Sequence, residues 1–229
     1  MALATFKGGI HPPDKKDIAK DRAIKEAKSP QRVVIPLSQH LGAPCKPIVS
    51  IGQEVKKGEL IGEAGGFVSA PVHSSVSGKI IAIAEFPNAM GRMVNSIVIE
   101  NDRKEEWTSL KDNPDYAKLS ADELKEKIKA AGIVGMGGAA FPTLVKLSPP
   151  KEKPIDSVII NGAECEPYLT ADYRLMVERP QEIVEGLKIL MKILGVNKGF
   201  IGIENNKPDA IEKMKVAVKN DPNIEVCAL

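Results

Sequence analysis

Two stretches of this 229-residue chain bring together backbone and side chains suited to a charged ligand. In residues 132–143, Gly132, Gly135, Gly137 and Gly138 crowd together and Ala139 and Ala140 add little bulk. Glycine reaches backbone conformations closed to other residues and lets a ligand approach the main chain. Such a loop can aim several N–H groups at one anion, and a short helix opening at Pro142 would add positive potential. Lys146, within one helical turn of Pro142, supplies a full charge. The natural guest is a phosphate; a close-packing loop with no ligand is the competing reading. The second stretch is Asn161-Gly-Ala-Glu164-Cys165-Glu166-Pro167, in which two carboxylates flank a cysteine. Asn161 and Glu164 can bond to the polar edges of a ring or a ribose, and Glu166 can orient a partner molecule or raise its neighbour's pKa. An Asx-type turn with exposed glutamates is the plainer alternative.

The elements around these stretches decide where they point. Ser120 and Glu123 form a capping box, Leu124, Ile128 and Ala131 then share one face, and Gly132 is placed to stop the helix. The spacing Gly135-x-Gly137-x-x-Ala140 meets the loose dinucleotide fingerprint, but that fingerprint leaves a strand, and here a helix precedes it. The glycine loop therefore joins two helical pieces. The second stretch follows a short apolar strand over 157–160. Pro180 opens a helix to Leu194 with a broad apolar face (Ile183, Val184, Leu187, Leu190, Met191), and Gly195 ends it. A strand over 199–203, a helix from Pro208 to about residue 219 and a strand over 224–228 complete the series. Strand–helix alternation with short connections implies a parallel sheet with right-handed crossovers. Ligands bind outside the carboxyl ends of such strands, which is where 161–167 and Glu204-Asn-Asn-Lys207 fall.

The first half of the chain follows another rhythm. Residues 31–101 hold short β-like runs at 32–36, 48–51, 59–61, 78–83 and 96–100, punctuated by glycine turns, and argue a small barrel or sandwich. Residues 1–30 read as an arm in which 17–28 form a short polar helix or a mobile segment, with His11 beside two prolines in a turn. Residues 102–119 read as a polar surface linker. A net charge of +2 with both signs intermixed gives no case for nucleic acid. No apolar run is long enough to span a bilayer, so a membrane link would be peripheral. Cys45, Cys165 and Cys227 stand far apart and form no Cys-x-x-Cys, and the three histidines are isolated, so no metal centre is expected. His73-Ser-Ser75 lacks the nucleophile elbow of a hydrolase.

Resemblances join these parts. Residues 49–60, with 69–71 and 76–80, look like the two halves of a biotinyl/lipoyl hammerhead. The hairpin tip, where carriers of that type place the acylated lysine, reads Gly62-Glu-Ala-Gly-Gly-Phe67 and offers no lysine. The fold is expected without the carrier function. The glycine loop and the Asn161–Tyr168 turn together resemble the flavin- and NADH-binding subunit of respiratory complex I. With the opening residues 6–13, the stretch 66–78 and Ile203-Glu-Asn-Asn-Lys207-Pro-Asp209, the chain is more similar still to the RnfC family, the C-subunits of Rnf ion-translocating electron-transport complexes. A flavin-containing cobalamin reductase shares the architecture and is the near alternative, and a docking module that has lost its nucleotide is another.

The resemblance implies an arm (1–30), a barrel-sandwich-hybrid β domain (31–101), a linker (102–119) and a Rossmann-like α/β domain for FMN and NAD(H) (120–229). It implies hydride exchange with NAD(H), passage of electrons to iron–sulfur clusters or ferredoxin, and a place among other subunits on the cytoplasmic side of the cell membrane. By motif position it puts Gly135, Gly137, Gly138 and Lys146 on the FMN, Asn161 and Glu164 near the flavin, and Glu166 toward the nicotinamide as the catalytic group. The chain departs from the complex I pattern at Ala163 (an acid there), Met136 (an arginine) and Ala140 (a glycine). It stops after its third strand of the α/β series, where the next ligand-facing loop is due. The family continues into a cysteine-rich segment for two 4Fe-4S clusters, so an excised or truncated piece with weak redox turnover is expected.

Overall fold

The computed structural model describes residues 12–110, 115–150 and 152–229. His11 and most of the opening motif lie outside the described residues. Two compact units result: one runs to Glu26 and resumes at Glu152–Leu229, and the other begins at Ala27 and ends at Lys151.

In the unit from Ala27, period-two burial builds two antiparallel sheets. Strands β1 (Arg32–Pro36), β2 (Lys46–Pro47), β3 (Glu54–Val55), β4 (Leu60–Glu63), β5 (Val72–His73), β6 (Gly78–Pro87) and β7 (Met93–Asn101) pair in the orders β1-β7-β6-β3 and β2-β4-β5. Leu37, Ile61, Ile80, Ile97 and Ile99 are fully buried among them, a barrel-sandwich core. The run at 48–51 is not a strand. Pairing ends with Pro47, the Ile48 N–H adds one bond to Ile61 O at 3.0 Å, and Gly52 turns the chain with φ +92°. Phe67, at the hairpin tip, is 74 % exposed. The segment after β7 is pinned where Trp107 bridges Lys57, whose ammonium lies 5.0 Å from the indole centre.

The same unit contains α1 (Ala121–Ala130) and α2 (Thr143–Lys146), with the glycine loop between them. Both bonds of the expected capping box are present at Ser120 and Glu123.

The other unit is α/β. Strands β8 (Val158–Asn161), β9 (Gly199–Ile203) and β10 (Ile224–Ala228) form a parallel sheet in the order β10-β9-β8. Helices α3 (Ala171–Glu178), α4 (Pro180–Leu194) and α5 (Pro208–Ala217) bury Tyr173, Met176, Val184, Leu187, Ala210 and Met214 with Ile201 and Ile203. Pro180 opens α4, and Gly195, at φ +67°, closes it as expected. Residues 12–26 belong to this unit. Their regular structure is limited to a 3-10 turn at Lys16–Ile18, so the polar helix, one of the two readings of 17–28, does not form. Among the described residues no helix is long and apolar enough to cross a membrane.

Candidate functional site

The glycine loop is a small hairpin. Val134 bridges Pro142, the Gly135 N–H donates to Phe141 O at 2.8 Å, and the Thr143 N–H donates to Ile133 O at 3.0 Å. Its tip is closed by the Ala140 N–H on Gly137 O at 2.9 Å, with Ala140 in the left-handed region at φ +44°. The glycines divide by role. Gly132, at φ +66°, sits where a Cβ would lie 2.3 Å from Pro71 O, so it sets the exit from α1. A Cβ on Gly135 would lie 2.5 Å from Lys146 Nζ, so the bare glycine is what lets the ammonium fold onto the loop. Around Gly137 and Gly138 there is open space, with no atom within 4 Å of an added Cβ. No hydrogen bond among the described residues engages the N–H groups of Gly137, Gly138 and Ala139. N–H groups without partners on the loop and an ammonium folded against Gly135 are the elements from which an anion cradle is built. A groove of about 830 Å³ runs beside the tip, lined by His40, Leu41, Met90, Arg92, Gly138 and Ala139 among others. Its size suits a nucleotide-like ligand.

In the α/β unit, Asn161 ends β8 and its Oδ1 accepts the Ala163 N–H at 2.9 Å, an Asx turn. The turn continues to Glu164, which is 4 % exposed. Its Oε1 accepts the Asp172 N–H at 2.8 Å in the first turn of α3, while its N–H donates to Glu204 Oε2 at 3.2 Å. Oε2 of Glu164 has no hydrogen-bond partner among the described residues and lies 3.9 Å from Lys207 Nζ. Lys207, also 4 % exposed, donates to Glu204 Oε2. A buried ammonium between two carboxylates locks the loop after β8 to the loop after β9. Burial pushes the Glu204 carboxyl up, but the bonds from Lys207 and the Glu164 N–H outweigh it and hold the carboxyl below its usual value. Burial and the Glu164 charge raise Asp172, against the pull of Lys207. Cys165 and Glu166 stand exposed at the turn's outer edge.

Two residues outside the sequence-derived set hold this turn and the helix that follows it. The ammonium of Lys16, 8 % exposed, donates to Glu166 O at 3.0 Å and Leu169 O at 2.8 Å. The Tyr173 hydroxyl donates to Asp209, tying α3 to α5; burial and then this bond push its pKa up to about 12. Lys207 lies in a stretch that the strand pattern marks as ligand-facing. For Lys16 no local pattern exists. The structure thus brings Gly135, Gly137, Gly138 and Lys146 together in one unit, and Asn161, Glu164 and Glu166 together in the other. Glu164, expected near the flavin, is buried, with Oε1 capping α3 and Oε2 facing Lys207.

Comparison with known proteins adds an independent line. Residues 4–104 match the RnfC barrel sandwich hybrid domain, and residues 128–229 match the Nuo51 FMN-binding domain. The chain is 51 % identical over 226 residues to the C-subunit of the Na(+)-translocating ferredoxin:NAD(+) oxidoreductase complex of Acetobacterium woodii, covering 98 % of this chain and 51 % of the relative. It is 50 % identical to the proton-translocating counterpart of Clostridium ljungdahlii, over 94 % of this chain and 47 % of that protein. A third relative, the C-subunit of the ion-translocating oxidoreductase complex of Pseudomonas aeruginosa, is 42 % identical over 96 % of this chain and 29 % of its own length. The chain spans about half the length, or less, of these curated relatives.

Proposed function

This chain belongs to the RnfC family, pairing an RnfC barrel sandwich hybrid domain with a Nuo51 FMN-binding domain, and from that premise we propose that it binds FMN and serves NAD(H)-linked electron transfer. The observation that carries the proposal is the glycine loop. Two open glycines, three N–H groups without partners among the described residues and the Lys146 ammonium over Gly135 fit a phosphate monoester.

The chemistry that FMN held there would supply is two-electron acceptance of a hydride and one-electron release. The protein's part is to bind and orient. Gly137 and Gly138 let the phosphate reach the backbone, and Lys146 neutralises it. Asn161 shapes the turn after β8. Glu164 holds that turn from within rather than touching the ligand from outside, and Glu166 presents its carboxylate on the nicotinamide side. The parent protein would work in a membrane-bound complex, peripheral on the cytoplasmic side, bound to other subunits and exchanging electrons with ferredoxin through two 4Fe-4S clusters carried elsewhere in the protein. The β segment over 31–101 serves as a spacer or docking surface.

The test is titration of FMN into the longest natural form containing this chain, followed by flavin fluorescence. Saturable quenching with one FMN per chain is expected. Absence of quenching at near-millimolar protein would leave the glycine loop a packing device.

A further inference from the structure

The opening residues 14–24 lie along the turn that carries Glu166, tied to it and to α3 at separate points. The Tyr168 N–H donates to Asp14 O at 2.7 Å, and Lys16 Nζ holds Glu166 O and Leu169 O. Further along, Arg174 donates to Lys20 O at 3.1 Å, and the Ile24 N–H donates to Glu178 Oε1 at 3.0 Å. Two features show that these ties constrain the turn. Tyr168 sits at φ +69°, a region that disfavours side chains other than glycine and asparagine, so its conformation needs outside support. Lys16 is a nine-tenths-buried residue whose ammonium donates to two carbonyls of this same turn. Burying an ammonium is unfavourable unless its donors are satisfied. Its charge also reaches Glu204, helping to lower that carboxyl's pKa after the larger effects of burial, Lys207 and the Glu164 N–H.

We propose that the 14–24 segment is a strap and Lys16 a positioning residue, which fixes the backbone of 166–169 and so sets where the Glu166 carboxylate stands. The functional half of this inference rests on the reading of Glu166 as the nicotinamide-side group; the structural half does not. Lys16 touches only the backbone of Glu166, so its removal acts through the turn.

The experiment compares wild type with Lys16→Met, Lys16→Gln and Lys16→Arg in the longest natural form containing the chain. Hydrogen–deuterium exchange is read for peptides over 164–172 and over 199–203, beside FMN content and NAD(H) affinity. For Lys16→Met, exchange over 164–172 should quicken roughly tenfold or more, with 199–203 unchanged, because a charged hydrogen-bond donor to two carbonyls is lost. NAD(H) affinity should fall while FMN content stays. Lys16→Gln, which keeps a neutral donor group but loses the charge, should lie between, and Lys16→Arg should restore most protection. Unchanged exchange over 164–172 in Lys16→Met overturns the strap. So does equal loosening of 199–203, which would make Lys16 a general stabiliser. If Lys16→Met does not fold, the same criteria apply to Lys16→Gln. A loosened turn with unaltered NAD(H) affinity upholds the strap and sinks the assignment of Glu166 instead.

Discussion

Replacing Gly135 by alanine separates ligand binding from folding with a single methyl group. Gly135 is not among the residues with positive φ, so alanine meets no backbone strain there. The added Cβ would lie 2.5 Å from Lys146 Nζ and 3.5 Å from its Cε, while Phe141 O stays 3.6 Å away. Only the ammonium must move, and it is the far end of an exposed, flexible side chain. Stability should therefore change by less than about 0.5 kcal/mol, the usual range for a surface substitution. Binding should suffer much more, because the displaced group is the one that neutralises the phosphate. A charge-assisted hydrogen bond contributes about 1.5–3 kcal/mol, so FMN affinity should fall roughly 10- to 150-fold. Lys146→Ala should lose a similar amount. The double variant should lose little beyond either single change, since both remove one contact. Flavin fluorescence titration gives the affinities, and thermal unfolding without ligand gives the stabilities. Additive losses, or wild-type affinity in Gly135→Ala beside a weakened Lys146→Ala, would refute the placement of the ammonium over the loop.

Gly137→Asp should fold normally, since nothing stands within 4 Å of its Cβ, yet bind FMN less well than Lys146→Ala by direct titration. Glu164→Gln should lower thermal stability by about 1–3 kcal/mol, because it disturbs a buried acceptor beside Lys207, and reduce flavin retention with it. Glu166→Gln, at an exposed position, should leave stability and flavin content intact and alter only NADH-dependent flavin bleaching in anaerobic stopped flow. The raised Tyr173 pKa keeps its hydroxyl protonated in the folded state, so its contribution is full below pH 10 and is lost as pH rises toward about 12. Two pKa units correspond to about 2–3 kcal/mol, so denaturant titrations of wild type and Tyr173→Phe should converge over that window. Co-expression with biotin and lipoyl ligases should leave the intact mass unchanged, since residues 62–67 contain no lysine.

Where sequence reading succeeded, the signals were local. Proline at the first turn and glycine after the last residue fix α4 at Pro180–Leu194, and short apolar runs bounded by turn residues fix β9 and β10. The capping box before α1 is likewise complete within four residues. Helix α3 escaped because no side chain of its N-cap, Thr170, caps it. Its cap is Glu164, eight residues upstream on Asp172, and α3 runs almost directly into Pro180. The same applies to Glu164 itself: two carboxylates around a cysteine look alike in sequence, and only the fold turns one inward to Lys207 and leaves the other outside. A lysine in a polar arm reads as solvated, whereas the buried ammonium of Lys16 is held by carbonyls far along the chain.

The separation between those partners bears on how the molecule assembles. Lys16 meets its two acceptors at sequence separations of 150 and 153. During synthesis the strap emerges before its receptor turn, so the segment must wait for the chain between them to be made. Contacts of such long range form slowly when the loop between them is floppy, since closure costs entropy that grows with its length. Here the intervening chain contains the whole unit that begins at Ala27, whose strand pairs are antiparallel and closer in sequence. Folding that unit first would shorten the effective loop before the strap docks. Docking of residues 14–24 is thus a late event in folding, and a chain that has lost its opening residues would be expected to keep its sheets while leaving the turn around Glu166 unset.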